Sequence, residues 1–238
     1  MNMRKAAGYL GDSIRKYGVG ATLHDLECRL INKAVQFQVL KGMAVRTRDV
    51  RDPSLFRAPG FDARFLREGE LWIYAQDPAH QVTPEFLSIA LARGDRCYAL
   101  VDLRNGNLAA YGWYSDRATP LDGHFELRFD RAWTYMYKGY TMPAYRGKRL
   151  HAVGMCRALR TLTGEGRKGL ISCVASNNFA SLRSVTRMGY RIFGGVYLLH
   201  AAGRSFTYAT AGCRPYGFWV EPLAPARGVA AARDFSKP

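Results

Sequence analysis

Pro143-Ala144-Tyr145-Arg146-Gly147-Lys148-Arg149-Leu150-His151 is the stretch on which the reading of this chain turns. Ahead of it, Ala132 to Met142 is aromatic-rich and alternating, as a strand would be. Behind it, Leu150, Val153, Gly154, Cys156, Leu159 and Leu162 share one stripe at helical spacing. The quoted residues are therefore a turn, rich in glycine and cations, that feeds a strand into a helix. Such a turn leaves backbone N–H groups unpaired and aims the positive end of the helix dipole at one point, which suits a phosphate group. Arg146, Lys148 and Arg149 add to that field. The plainer alternative is a solvated basic helix start.

Working outward, Thr83 and Pro84 open a helix through Phe86, Leu87, Ile89, Ala90 and Leu91 that stops at Gly94. A strand follows from Arg96 to Leu103, Asn105-Gly106 marks a hairpin turn, and the chain returns as Leu108 to Tyr114. With His124 to Phe129 and Ala132 to Met142, these predict an antiparallel meander of about four strands. Downstream, a buried strand covers Leu170 to Ala175. Asn178 opens a helix bearing Phe179, Leu182, Val185 and Met188 that ends at Gly189, and two strands run from Arg191 to His200 and from Ser205 to Thr210.

The first 58 residues differ from the rest, carrying many Lys and Arg among short apolar groups. One strand-like alternation stands out there, Val35, Phe37 and Val39. They are expected to be a basic N-terminal extension, with a helix from Thr22 as N-cap whose stripe Leu23, Leu26, Leu30 and Ile31 packs on the main domain or lies on a membrane surface. The main domain is expected over residues 59–220. Residues 221–238 are expected to form a flexible tail, because they offer little to bury.

The chain has 238 residues with 48% hydrophobic content, so it is long enough to bury a sizeable core. Lys and Arg total 35 against 19 Asp and Glu, a net charge of +16 that favours anionic partners. No stretch has the length of a membrane span and no secretion signal is legible, so the expected location is cytoplasmic. Cys28, Cys97, Cys156, Cys173 and Cys213 are far apart with no C-x-x-C pair, and are read as reduced structural thiols with no metal site.

The order of elements and two motifs resemble the GNAT superfamily of acyl-CoA N-acyltransferases. The first motif is the turn after the meander, Pro143-Ala144-Tyr145-Arg146-Gly147-Lys148, which is similar to that superfamily's pyrophosphate loop. The second is Asn178 with Ser181 on a helix ending in Gly189-Tyr190. The likeness spans about residues 60 to 212. Arg149 and His151 stand where the family has two glycines, and Val185 stands where it often has a tyrosine that protonates the leaving thiolate.

The resemblance implies a mixed α/β (α+β) fold, with a mostly antiparallel twisted sheet, a splayed parallel strand pair and flanking helices. It also implies transfer of an acetyl or longer acyl group from coenzyme A, or from an acyl carrier protein, to an amine acceptor in a ternary complex, with no metal. Gly139, Tyr140, Thr141, Met142, Arg146, Gly147, Lys148, Arg149, Leu150, His151, Asn178 and Ser181 would hold the donor.

An amine must lose a proton to form an amide, so an acceptor for that proton is sought on the meander. Glu126, flanked by Phe125 and Leu127, is the first candidate, and His124 and His151 are the others; the alternative for Glu126 is an ion pair on an exposed face. For His151 the alternative to catalysis is contact with phosphate or packing beneath it. Trp133, Tyr135 and Tyr137 share a strand face as an acceptor floor or as core, and Trp113 and Tyr114 stand where a bulge would open the site. The second class of function is a non-catalytic module on the same fold that binds nucleic acid through its basic face or a membrane through residues 1–58. Against nucleic acid, Lys and Arg are dispersed, with only Lys138 among the aromatic run.

Overall fold

The computed structural model describes residues 3–223. In chain order it contains α1 (Met3–Tyr17), α2 (Val19–Ile31), β1 (Gln36–Val45), β2 (Phe61–Phe65), α3 (Glu68–Tyr74), α4 (Pro84–Arg93), β3 (Arg96–Asp102), β4 (Leu108–Ser115), β5 (Thr119–Pro120), β6 (Phe125–Arg128), β7 (Thr134–Thr141), α5 (Leu150–Gly164), β8 (Leu170–Ala175), α6 (Phe179–Met188), β9 (Arg191–Ala201), β10 (Arg204–Ala209) and β11 (Trp219–Pro222). Eight strands form one sheet in the order β10-β9-β1-β8-β7-β4-β3-β2, and β11-β6-β5 form a second. Every pairing is antiparallel except β7 with β8. The fold is mixed α/β, a mostly antiparallel sheet with one parallel pair, flanked by helices.

Helix boundaries follow local chemistry. The Thr83 side chain accepts from the Phe86 N–H and Gly94 closes α4 in the left-handed region. Asn178 does the same for α6 by accepting from the Ser181 N–H, and Gly189 ends it. Alternation along β4 divides the core between two faces. Gly112 and Tyr114 lie under α5 with Leu150, His151 and Gly154, whereas Trp113 meets Phe86 of α4 edge to face at 5.0 Å.

Three expectations are corrected. The strand at 124–129 does not extend the meander, which runs β2-β3-β4-β7; β6 belongs to the small sheet. That sheet sets Phe125, Leu127 and Val220 against Leu40, Ile171, Val196 and Leu198, a second core that also takes in Trp133 and Tyr135. Second, the division at residue 58 cuts through one sheet, because β1 hydrogen-bonds to β8 on one side and β9 on the other. Its Leu40, Met43, Ala44 and Val45 are all buried. Glu221, assigned to the tail, pairs with Glu126 in the small sheet; the tail beyond Leu223 lies outside the described residues.

Third, α2 starts after Gly18, with Thr22 inside it. It turns Thr22, Asp25 and Cys28 inward while Leu23, Leu30 and Ile31 are exposed, so the apolar stripe is not the packed one. Docking is polar instead. His24 bonds Ser176 Oγ at 2.8 Å, and Asn177 donates to Asp25 at 3.1 Å. No helix among the described residues is long and apolar enough to cross a membrane.

Candidate active site

The parallel strands β7 and β8 pair only at Thr134 with Leu170 and Tyr135 with Ile171. Beyond that point they diverge, and the Ser172 hydroxyl donates to the Met136 carbonyl at 2.9 Å where the gap begins. Opposite β4, Trp113 pairs with Lys138 and Tyr114 with Met136, leaving Tyr137 as an extra residue. The bulge expected near Trp113 and Tyr114 is therefore carried by β7. It turns Tyr137 and Lys138 to the same face, toward Phe86 of α4.

The end of β7 leads straight into the cradle turn. Pro143–Tyr145 make one 3-10 turn, Gly147 has φ +81°, and Arg149 has φ +57°. Arg149 thus holds the left-handed backbone conformation that glycine adopts without strain. The N–H groups of Gly147, Lys148, Arg149, Leu150, His151 and Ala152 donate to no carbonyl among the described residues; the first α5 hydrogen bond runs from Val153 to the Arg149 carbonyl at 3.1 Å. An oxyanion placed there would meet these donors and the helix dipole together.

Side chains of the turn are arranged differently from one another. Arg149 forms an ion pair with Asp52 at 2.9 Å, so its charge is committed to the chain's own carboxylate. The Asp52 carboxyl is held below its usual range, first by the Ser54 hydroxyl and then by Arg149. Arg146 reaches back to the Thr141 carbonyl at 3.4 Å and lies near the Tyr140 ring, and Lys148 lies over Tyr145. Both remain exposed. The Met142 N–H, expected to face a donor, is bonded to the Ala109 carbonyl at 2.9 Å and is not free.

His151 fills the second glycine position by packing under β7. A Cβ added to Gly139 would lie 2.3 Å from His151 Cε1 and 2.8 Å from Nδ1, so ring and strand are in contact only because residue 139 has no side chain. Burial pushes the His151 pKa below its ordinary value, which keeps the imidazole neutral at pH 7.

Between α5, α6 and the end of α1 lies a cleft of about 460 Å³, lined by Lys16, Tyr17, Arg149, His151, Ala152, Ala180, Arg183, Ser184, Arg187 and Met188. Among the described residues no carboxylate lines it. Arg183, Ser184 and Arg187 escaped the sequence reading, although their spacing against the buried Val185 and Met188 marks them as the outer face of α6. Lys16 and Tyr17 left no local signal at all. Asn178 and Ser181 meet as cap and capped N–H at 3.1 Å, and Asn178 lines an adjoining hollow with Tyr17 and Ala180. Val185 is buried in the main core and does not line the cleft.

Of the proton-acceptor candidates, His151 lines the cleft, whereas Glu126 and His124 stand apart from it. Glu126 sits in the small sheet with Arg128 at 3.1 Å, and Arg128 also holds Glu221, at 2.5 Å. The His124 ring stacks on His200 at 3.8 Å. Neither lines the cleft. Of the aromatic run, Trp133 and Tyr135 are core, and Tyr137 donates to buried Asp95 at 2.8 Å, a carboxylate it shares with Arg93. The five cysteines are free thiols, and among the described residues no group of side chains is placed to hold a metal ion.

No family model and no curated protein matches the chain. Among solved structures it is similar to a Drosophila protein (16% identity over 83% of this chain, TM-score 0.45). It is also similar to a GCN5-related N-acetyltransferase-like protein from Streptococcus suis (10% over 75%, 0.48) and a GCN5-related N-acetyltransferase from Sphaerobacter thermophilus (11% over 90%, 0.45). The chain spans 57%, 67% and 59% of their respective lengths.

Proposed function

We propose that the chain is an acyltransferase that moves an acyl group from a coenzyme A thioester to an amine by direct attack. The observation that carries this reading is the combination of two features along β7. The parallel pair opens after two residue pairs at its start, and beyond its last residue the N–H groups of 147–152, at a helix start, donate to no carbonyl among the described residues. The thioester arm would enter the gap between β7 and β8, its diphosphate would meet the cradle, and the acyl carbon would come to the bulge at Tyr137. The nitrogen of a neutral amine attacks the thioester carbonyl carbon, the C–N bond forms, the C–S bond breaks, and the thiolate leaves. Main-chain groups of β7 that β8 no longer meets are available to the developing oxyanion.

The amine proton passes to solvent in this account, since Glu126 is engaged by Arg128 and His124 by His200. Alignment of the two substrates carries much of the rate, because effective molarities for well-oriented reactants are large.

The test is incubation of the full chain with acetyl-CoA and a panel of primary amines, reading thiol release and amide formation by mass spectrometry. Amine-dependent release is expected, and Arg146→Glu should weaken acetyl-CoA binding by about tenfold or more, since charge reversal puts repulsion beside the phosphates. A chain that binds RNA or anionic vesicles while ignoring acetyl-CoA would overturn the proposal in favour of a non-catalytic module.

A further inference from the structure

Resting on the donor reading above, the geometry points to a second phosphate-binding position at the end of α1, which makes the cleft selective for the 3′-phosphorylated nucleotide of coenzyme A over donors that lack it. Four cationic side chains line the cleft, and one of them, Arg149, is neutralised by Asp52. Lys16, Arg183 and Arg187 form no ion pair among the described residues. Many of the chain's other arginines do, including Arg64, Arg93, Arg96, Arg104, Arg128, Arg167 and Arg191. Three like charges around a hollow of about 460 Å³, with no carboxylate on its wall among the described residues, repel one another unless an anion is bound.

Their positions are set by a ring. Tyr17, the last residue of α1, packs against Phe179 with centroids 5.4 Å apart. The Lys16 ammonium lies 5.3 Å and the Arg183 guanidinium 4.9 Å from the same Tyr17 ring. Two cations from different helices are thereby held together by cation–π attraction instead of by a counter-ion. They stand on the α1 and α6 walls of the cleft, apart from the free N–H groups on the α5 wall. A ligand with two separated phosphate groups can engage both walls at once. Coenzyme A has them, a diphosphate and a phosphomonoester on the ribose. Phosphopantetheine, as carried on a protein, has only one.

The α1 to α2 hairpin is thus part of the donor site. It is fixed there by its contacts to Ser176 and Asn177, which immediately precede Asn178. Lys16 and Tyr17 are specificity-determining residues in this account, and they belong to the segment that sequence reading set outside the main domain.

The experiment is calorimetric titration of the full chain with coenzyme A, 3′-dephospho-coenzyme A and phosphopantetheine at one fixed ionic strength. It is run on wild type, Lys16→Ala, Arg183→Gln and their combination. Coenzyme A is expected to bind wild type about tenfold or more tightly than its dephospho form, as charge-assisted contacts to a dianion require. The ratio should shrink toward one in the double variant, while binding of dephospho-coenzyme A changes little. Both side chains are exposed, and unchanged thermal unfolding of the variants identifies the loss as one of ligand contact. A wild-type ratio near one, or a ratio preserved in the double variant, overturns this inference and leaves the donor reading standing. Failure of all three ligands to bind wild type overturns both.

Discussion

Arg149 and His151 hold demanding positions in different ways. Arg149 accepts a φ of +57° and is anchored by Asp52. His151 spends its volume on the space left by Gly139. The second has a pH signature. Because the folded His151 has a depressed pKa, the unfolded chain binds a proton that the folded one refuses, so its stabilising contribution is complete above about pH 6.5 and declines as pH falls below that value. Thermal unfolding at pH 7.5 and 5.5 should therefore show a smaller acid-induced drop in melting temperature for His151→Gln than for wild type; parallel drops would place the acid sensitivity elsewhere. At Glu126 the expectation reverses with the structure. As a residue engaged by Arg128, Glu126→Gln should leave turnover within a factor of about two of wild type, whereas loss of a general base typically costs ~100-fold or more. The sequence showed its apolar neighbours, Phe125 and Leu127, but not that they face a second sheet.

Elements were legible where the chain punctuates itself. Thr83, Gly94, Asn178 and Gly189 bound α4 and α6 as their types require, and the change of period at residue 150 marks α5. The placement of β1 was not legible, because its partners β8 and β9 lie more than a hundred residues away and nothing local names them. The same holds for α2, whose amphipathic stripe suggested the wrong buried face; its docking uses Thr22, Asp25 and Cys28, a polar set that hydrophobic periodicity does not detect. These placements separate two truncations. Removing residues 1–31 takes away surface helices and should leave a cooperative thermal transition. Removing residues 1–45 takes a strand from between two neighbours, along with Leu40, Met43 and Val45, whose burial is worth about 1.5–3 kcal/mol each, and should abolish that transition. Cooperative folding of the shorter chain would contradict the position of β1.

At the scale of the whole molecule, a net charge of +16 becomes informative only when its distribution is known. Many arginines are spent on ion pairs across the surface, while Lys16, Arg183 and Arg187 converge, without carboxylate partners among the described residues, on the cleft walled by α1, α5 and α6. The sequence predicted the strand, turn and helix that make the cradle. It could not predict the wall that α1 supplies, since that wall depends on how the N-terminal strand and helices are threaded back through the sheet. The central claim is that the helix start at 147–152 receives the phosphates of the acyl donor. Hydrogen–deuterium exchange of the peptide covering 146–152, with and without saturating acetyl-CoA, tests it directly. The amides of 147–152 donate to no carbonyl among the described residues, so the account requires marked slowing of their exchange on binding, together with slowing along β7 at 137–141 and no change in the small sheet. Binding with unchanged exchange at 146–152 would contradict the account.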